Sequence, residues 1–379
     1  MEYPFQFTYI EILKAPARAL SAKKILVMSF FLFIGLALYN IFTYLAFSIE
    51  GERLSVIFSA FGFFPFYKMI FVKVIAQVIF LTGLFLSLLA LMAGFMGVSI
   101  IEVEAMRGNR FLSPFQAIGF SFRRLKQIFL SELSFILFIL LIILLLLIFG
   151  LIGRIPYIGE WIVAVFFVVP GFIIGILTVF ILVVFQISVI LLPSVTATER
   201  HGETFTAILE TFSTIIRQPF RWFLFSAYTI IAGKITSFVY AYFSYRAVEF
   251  VVWGAMLGGG NKIEQLVKNG LGHLPLKSDI VRETFNIFPG IDWGVNLSRH
   301  LRGAGDDTAG YLMAFMLFLI FLTIIAYFLT VIAVGQVRAF AVIKYLKDSY
   351  KITNEKSLFE SKERQETSPE DINLYTEND

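Results

Sequence analysis

The chain has 379 residues, of which 58% are hydrophobic and 15% are charged, and its mean hydropathy is +0.82. Soluble domains are usually about half apolar and about a quarter charged. This composition therefore excludes an ordinary soluble domain and predicts a polytopic membrane protein. The formal net charge is +4 and cysteine is absent, which excludes disulfides, thiolate nucleophiles and cysteine-ligated metals.

The three histidines also argue against a metal centre. His201, His273 and His300 lie far apart, and none has a second histidine or a carboxylate three or four residues away. Helical metal motifs need such spacing. We therefore expect neither a metal nor another cofactor, and no enzymatic activity.

Six apolar segments are long enough to span a membrane, since a helix needs about 20 residues to cross the hydrocarbon core. Their apolar runs are continuous and do not alternate, which favours helices over barrel strands. The predicted fold is an all-α polytopic transmembrane helix bundle with amphipathic helices at the cytoplasmic surface. The expected spans are residues 25–49, 70–100, 128–152, 161–193, 220–245 and 311–337.

Lysine and arginine are distributed unevenly around these spans. Four lie in residues 1–24, five in 102–127, three in 199–221 and seven after residue 337, whereas the short intervening connections hold three in total. By the positive-inside rule both termini are cytoplasmic. We expect a multi-pass protein of a bacterial inner membrane.

The same pattern predicts the domain organisation. Residues 1–24 are expected to form a cytoplasmic amphipathic helix that precedes an uncleaved anchor, because no small-residue cleavage site is present after it. Residues 25–345 form the six-span membrane domain, which includes the extracytoplasmic segment 246–310. Within that segment we expect two short amphipathic helices, near 261–270 and 278–287. Residues 346–379 are an acidic tail that we expect to be disordered.

Two of the predicted cytoplasmic connections resemble each other. Residues 114–129 read PFQAIGFSFRRLKQIF, and residues 204–220 read TFTAILETFSTIIRQPF. At an offset of 90, Phe115, Ala117, Ile118 and Phe122 match Phe205, Ala207, Ile208 and Phe212. This pattern indicates a parallel internal repeat of span, helix and span. Chance similarity between two phenylalanine-rich helices is the alternative.

The second of these connections has the periodicity of an interfacial helix. Phe205, Ile208 and Phe212 recur at intervals of three and four residues, which is typical of one helix face. We expect this face to lie in the membrane or against the bundle. Arg217 would then lie near lipid phosphates, which makes membrane lipids the first expected partner.

Residues around the end of the fourth span resemble a known pattern. The pattern consists, in chain order, of a proline, an acidic residue, a glycine, an alanine, a hydroxyl residue and an arginine. In this chain the six residues are Pro193, Glu199, Gly202, Ala207, Thr211 and Arg217. This order resembles the six-helix membrane domain attached to some bacterial glycerophosphodiester phosphodiesterases, and related uncharacterised bacterial membrane proteins. The resemblance implies a fold and a location. It does not imply the hydrolase activity, because no soluble region is long enough for the catalytic barrel.

Three polar side chains within the spans are candidates for an intramembrane site, because such groups are costly in lipid. Lys234 is predicted to lie past the midplane of the fifth span, with Gln186 of the fourth span nearby. Lys234 either binds an ion, a proton or an anionic substrate, or extends toward the outer interface. Glu132 lies just inside the cytoplasmic face and is expected to pair with a loop arginine or lysine.

Two functions of different classes remain open. The first is a non-enzymatic accessory or scaffold subunit that interacts with lipids or with protein partners, through residues 246–310 or the acidic tail. The alternative is a transporter or lipid-handling permease whose path runs between the two repeats. The basic residues are dispersed over several loops, so no nucleic-acid partner is expected.

Overall fold

The computed structural model describes residues 5–61, 65, 71–199, 202–274 and 307–359. Every regular element within these ranges is helical. In chain order the helices are α1 (Ile10–Leu13), α2 (Ala15–Ala19), α3 (Ala22–Glu50), α4 (Leu54–Phe61), α5 (Val74–Met106), α6 (Pro114–Ile152), α7 (Ile158–Phe166), α8 (Phe172–Thr198), α9 (Thr204–Arg217), α10 (Pro219–Gly259), α11 (Asn261–Gly272) and α12 (Asp307–Asp348). A 3-10 turn comes after α12, at Ile352–Asn354.

The six predicted spans correspond to six long apolar helices. Helices α3, α5, α6, α8, α10 and α12 are each long and apolar enough to cross a membrane. This finding confirms an all-α polytopic helix bundle. Most of these helices extend beyond the predicted spans, because they continue into polar residues where a hydropathy pattern ends.

The start of α6 differs from the expectation of a separate interfacial helix before the third span. Residues 114–152 form one continuous helix. Its first turn carries a capping box, in which the Ser113 hydroxyl accepts from the Gln116 backbone N–H and the Gln116 side chain accepts from the Ser113 backbone N–H. Pro114 occupies the first helical position, where its missing N–H is not needed. The local sequence therefore fixes where this helix begins.

The N-terminal segment also differs from the prediction of one amphipathic helix over residues 1–24. Within the described residues 5–24 it forms two short helices, α1 and α2, and then the beginning of α3. Ile12 is buried against Ala339 and Val342 of α12, and Glu11 is 4% exposed. The segment is therefore packed through one side of α1.

The fourth span is interrupted at its proline. Helices α7 and α8 are joined by a π-helical turn over Phe167–Gly171, which contains Pro170. Proline lacks the N–H of a regular helical hydrogen bond, so a locally wider turn accommodates it. Further along the chain, α11 occupies the position of the first predicted external helix. The second one, near 278–287, lies outside the described residues, as do His201 and His300.

The chain divides into two compact units. The first comprises residues 1–15, 95–229 and 332–379, and the second comprises 16–94 and 230–331. In the first unit α6, α8 and α9 pack on one another. In the second unit, close approach of helices depends on glycine. Gly83 of α5 lies directly against Phe42 of α3, and Gly233 of α10 lies against Phe328 of α12.

A glycine also sets the approach of α10 and α12 within the first unit. A Cβ atom at Gly335 would lie 2.1 Å from Thr229 Cγ2. We predict that Gly335→Ala lowers the midpoint of thermal unfolding in detergent, at a cost of about 1–3 kcal/mol for the overpacked contact. Gly175→Ala in α8 is the matched control, because a Cβ there meets no atom within 4 Å. An equal midpoint for both variants would contradict this packing.

Candidate functional site

Two of the predicted intramembrane candidates lie on the surface of their helices. Lys234 of α10 is exposed and belongs to the second unit, whereas Gln186 of α8 is exposed and belongs to the first. Neither side chain is enclosed within its own unit. Because the two residues belong to different units, the expected site built from them stays a prediction.

Glu132 has a different environment. It is completely buried in α6, and the Ser188 hydroxyl of α8 donates to its Oε1 over 2.8 Å. Its Oε2 has no hydrogen-bond partner. The prediction that Glu132 pairs with a loop arginine or lysine was wrong, because the carboxylate points into the contact between α6 and α8. One oxygen is thus left unsatisfied in a buried position, where a polar group normally finds a partner.

Other polar atoms of the first unit share this property. Ser121 and Ser131 of α6 and Thr196 of α8 are completely buried, and their hydroxyls have no hydrogen-bond partner. Phe135, three residues after Glu132 in α6, has its ring 5.6 Å from the ring of Phe212 in α9. The helices α6, α8 and α9 therefore enclose polar groups among apolar ones. A buried carboxylate in such surroundings is a candidate for holding a proton.

The turn between α8 and α9 is held by side chains of α6. Gln127 donates to Glu199 and, over 3.2 Å, to the Glu203 carbonyl. Arg124 donates to the Glu199 carbonyl over 3.4 Å. Gly202 has a φ of +75°, which favours glycine, and any Cβ there would meet the Arg124 guanidinium. The residues of the phosphodiesterase-domain resemblance thus include two, Glu199 and Gly202, that shape this turn.

The other residues of that resemblance lie in α8, in α9 and at its end. Pro193 is buried in α8, and Ala207 and Thr211 are completely buried in α9. Arg217 is largely exposed and lies 3.6 Å from Asp348 at the end of α12. The alanine and the threonine allow α9 to pack closely, since their side chains are small.

Residues 204–217 form helix α9, but its apolar residues do not form one uniform face. Phe205 is 70% exposed, whereas Ile208 is only partly exposed. Phe212 contacts the rings of Phe135 and Phe180. The outward stripe instead continues through Leu209 and Ile216, which are 50% and 59% exposed. The apolar residues of α9 therefore form two sets. Phe212 packs against other rings, whereas Phe205, Leu209 and Ile216 are exposed.

The start of α6 repeats this arrangement. Ala117 and Ser121 are completely buried, like their counterparts Ala207 and Thr211. Phe115 is 83% exposed, like its counterpart Phe205. Three matched pairs therefore have similar burial, whereas Phe122 is 50% exposed and its counterpart Phe212 packs against other rings.

A buried ion-pair network is the part of the first unit that the sequence analysis missed. Arg338 of α12 donates from Nη1 to Glu11 Oε2 and from Nε to Glu102 Oε1, each over 2.7 Å. All three residues are at most 4% exposed. One guanidinium therefore joins the N-terminal segment, the end of α5 and α12.

A second cluster of ion pairs lies at the same end of α5 and includes residues after α12. Arg107 is paired with Glu104 over 3.1 Å and also with Glu355. Glu104 in turn accepts from the Ser357 hydroxyl and, over 3.2 Å, from the Leu358 backbone N–H. The chain after α12 is therefore fixed against the end of α5.

These contacts correct the expectation of a disordered tail from residue 346. Helix α12 continues to Asp348, Ile352 is 1% exposed and Ser357 is 6% exposed. Residues 360–379 lie outside the described residues. The signal in the sequence was the stretch IEVEAMR, in which Glu102, Glu104 and Arg107 interrupt an otherwise apolar run. A hydropathy pattern assigns these charges to a loop, because it carries no information about their distant partners.

Comparisons with protein-family models, with curated proteins and with solved structures found no match. The resemblance to the phosphodiesterase-attached membrane domain therefore stays a prediction. Three features of the described residues bear on function: the ion-pair network, the buried Glu132 and the exposed phenylalanines of α6 and α9.

We predict that Arg338→Met strongly destabilises the protein. The substitution leaves Glu11 and Glu102 buried without their shared partner, and breaking a buried pair in this way costs about 3–5 kcal/mol. Thermal unfolding in detergent measures the effect. Arg246→Met is the control, because Arg246 and Glu249 form a pair in which the arginine is 42% exposed, and such pairs contribute little. Similar unfolding midpoints for the two variants would show that the network contributes no stability.

Proposed function

We propose that this protein is a non-enzymatic accessory or scaffold subunit that binds anionic lipids and protein partners at the cytoplasmic face of a bacterial inner membrane. The observation that carries the proposal is the matched exposure of Phe115 and Phe205, 83% and 70%, on two helices of similar sequence. Exposed aromatic side chains next to basic residues are typical of surfaces that lie at a membrane interface. Six membrane-span-capable helices accompany them.

Basic side chains lie close in sequence to the exposed apolar residues of both α6 and α9. Arg123 and Lys126 come after Phe122 in α6, and Arg217 and Arg221 come after the stripe of α9; all four are exposed. A phenylalanine inserted among acyl chains places neighbouring basic groups at the depth of the lipid phosphates. Under the positive-inside rule these residues lie on the cytoplasmic side, where both termini are proposed to lie as well. Two parallel repeats would then present two similar lipid sites.

The lipid site is tested by removing its charge. We predict that Arg123→Gln combined with Lys126→Gln weakens binding of phosphatidylglycerol about tenfold to thirtyfold, because each basic residue near an anionic surface contributes about 1 kcal/mol. Native mass spectrometry of lipid titrated into a mild detergent measures the change, with phosphatidylcholine as the neutral lipid. Lys262→Gln with Lys268→Gln in α11 removes the same charge elsewhere and should have little effect. Equal loss in both double variants would refute a localised site.

Glu132 favours a second candidate function, that of a transporter or lipid-handling permease. Its buried carboxylate has one oxygen without a hydrogen-bond partner, and hydroxyls line the same helices. Intramembrane carboxylates commonly take part in proton or ion movement. Lys234 and Gln186, the residues first considered for such a path, are exposed on their helices, so Glu132 is the residue that supports this candidate.

Proton movement in proteoliposomes tests this second candidate. A transporter that uses Glu132 would dissipate an imposed pH gradient faster than empty vesicles do, and Glu132→Gln would abolish the difference. The amide oxygen can still accept from Ser188, so the variant should fold and insert normally. Lys234→Met is the control and should keep the wild-type rate. Wild-type vesicles that match empty ones would leave the scaffold function as the sole proposal.

A further inference from the structure

After α12 the chain runs along the surface of the first unit as a strap, defined as residues 350–359. Lys344 of α12 lies 4.9 Å from the Tyr350 ring, and Lys351 lies 5.8 Å from the ring of Tyr345. Such cation–π contacts stabilise exposed positions modestly. Beyond them, the strap is anchored to the buried network through Glu355. The path of residues 350–359 is therefore set by several independent contacts.

The strap ends on α6. The Phe359 ring lies 6.4 Å from the Phe120 ring. The Arg124 guanidinium lies over that same Phe120 ring, 5.7 Å from its centroid. The chain beyond Phe359 therefore begins beside the positively charged stretch of α6, which reads FRRLK at residues 122–126.

Two of the three charged residues of this stretch, Arg123 and Lys126, define a basic edge. Both side chains are exposed. A helix turns roughly 100° per residue, so these two lie between the buried Phe120 and the exposed Phe122 as one moves around the helix axis. Gly119 occupies the same edge, and a Cβ there would meet no atom within 4 Å. The edge is thus open and adjoins both the end of the strap and the lipid-facing phenylalanines.

The sequence after the strap has the opposite charge. Residues 360–379, the distal tail, read ESKERQETSPEDINLYTEND and contain seven acidic and two basic residues. The first of them, Glu360, comes directly after Phe359. Because the strap is fixed, the distal tail is tethered at its start next to the basic edge. A tethered segment has a high effective concentration at a nearby site.

We propose that the distal tail binds the basic edge of α6 and competes there with anionic lipid. This inference rests on the proposed lipid-binding function and adds its regulation by the same chain. Charge complementarity and the attachment point at Phe359 select the tail as the occupant. Lipid at high density, or a basic partner that captures the tail, would expose the edge.

The expected size of the competition depends on tethering. If the effective concentration of the tethered tail, about 1 mM, exceeds its dissociation constant about fourfold, lipid binding is weakened about fivefold. Both interactions are between exposed charges, so added salt screens them. The effect of the tail should therefore decrease as the ionic strength rises.

The test compares phosphatidylglycerol binding by the full chain and by a variant whose distal tail is neutralised. The substitutions are Glu360→Gln, Glu363→Gln, Glu366→Gln, Glu370→Gln, Asp371→Asn, Glu377→Gln and Asp379→Asn. We expect the neutralised variant to bind phosphatidylglycerol about fivefold more tightly at low ionic strength, with no difference at high ionic strength. Glu264→Gln in α11 is the control for charge removal outside the tail.

Combining the neutralised tail with Arg123→Gln and Lys126→Gln separates this inference from the proposed function. If the charge change at the basic edge alters lipid binding and the tail change does not, competition by the tail is overturned while the lipid site stands. If neither change alters lipid binding, both proposals fail. If the tail change still enhances binding after the basic edge is removed, the tail acts elsewhere and the inference is overturned.

Cross-linking gives a direct second measurement, since the chain has no cysteine. Gly119→Cys with Ser368→Cys should form an intramolecular product with a short bifunctional reagent, and salt should reduce its yield. Gly254→Cys with Ser368→Cys is the control, because Gly254 is also an open glycine, near the end of α10 that is predicted to lie outside. Equal yields from the two pairs would overturn the proposed contact.

Discussion

A guanidinium group in an apolar interior loses its hydration and stays charged, so carboxylates at hydrogen-bond distance must compensate for that loss. Arg338 meets this requirement with Glu11 and Glu102, and Arg107 meets it with Glu104 and Glu355. The carboxylates come from the N-terminal segment, from α5 and from the strap. Satisfying two guanidinium groups thus determines which chain segments must lie together in the first unit, and it also determines the path of the strap toward α6.

The polar groups of the first unit fall into two classes with different consequences. The charged groups of the network are paired with one another, although Arg107 Nε has no hydrogen-bond partner, and each pair would cost free energy to open. Glu132 and the hydroxyls of Ser121, Ser131 and Thr196 have unsatisfied atoms instead. The first class supports a fixed structure, which the proposed scaffold function requires. A scaffold that never changes conformation would give these unsatisfied groups no function.

The six spans were predictable because lipid selects long apolar runs, and this pattern is local in sequence. The ends of the helices were not, because Glu102 and Arg338 stay in helices only through partners that lie far away in the chain. The sequence similarity between the segments that contain Phe115 and Phe205 was also visible without the structure. The sequence did not indicate which apolar residues of α9 pack against other helices. Phe205 and Phe212 share one helical periodicity, and only the tertiary contacts of Phe212 to Phe135 and Phe180 distinguish them.

The two similar helices, α6 and α9, differ in how they are joined to the next part of the chain. Helix α6 continues without a break for 39 residues, whereas α9 ends at Arg217 and Gln218 leaves the helical conformation before Pro219 begins α10. A force applied to the exposed phenylalanines of α6 is therefore carried by one continuous helix about 58 Å long. The same force on α9 acts on a helix of 14 residues that is separated from α10 by the non-helical Gln218. A load at the start of α6 is consequently transmitted along the whole helix, whereas a load on α9 is not carried into α10 by a continuous helix.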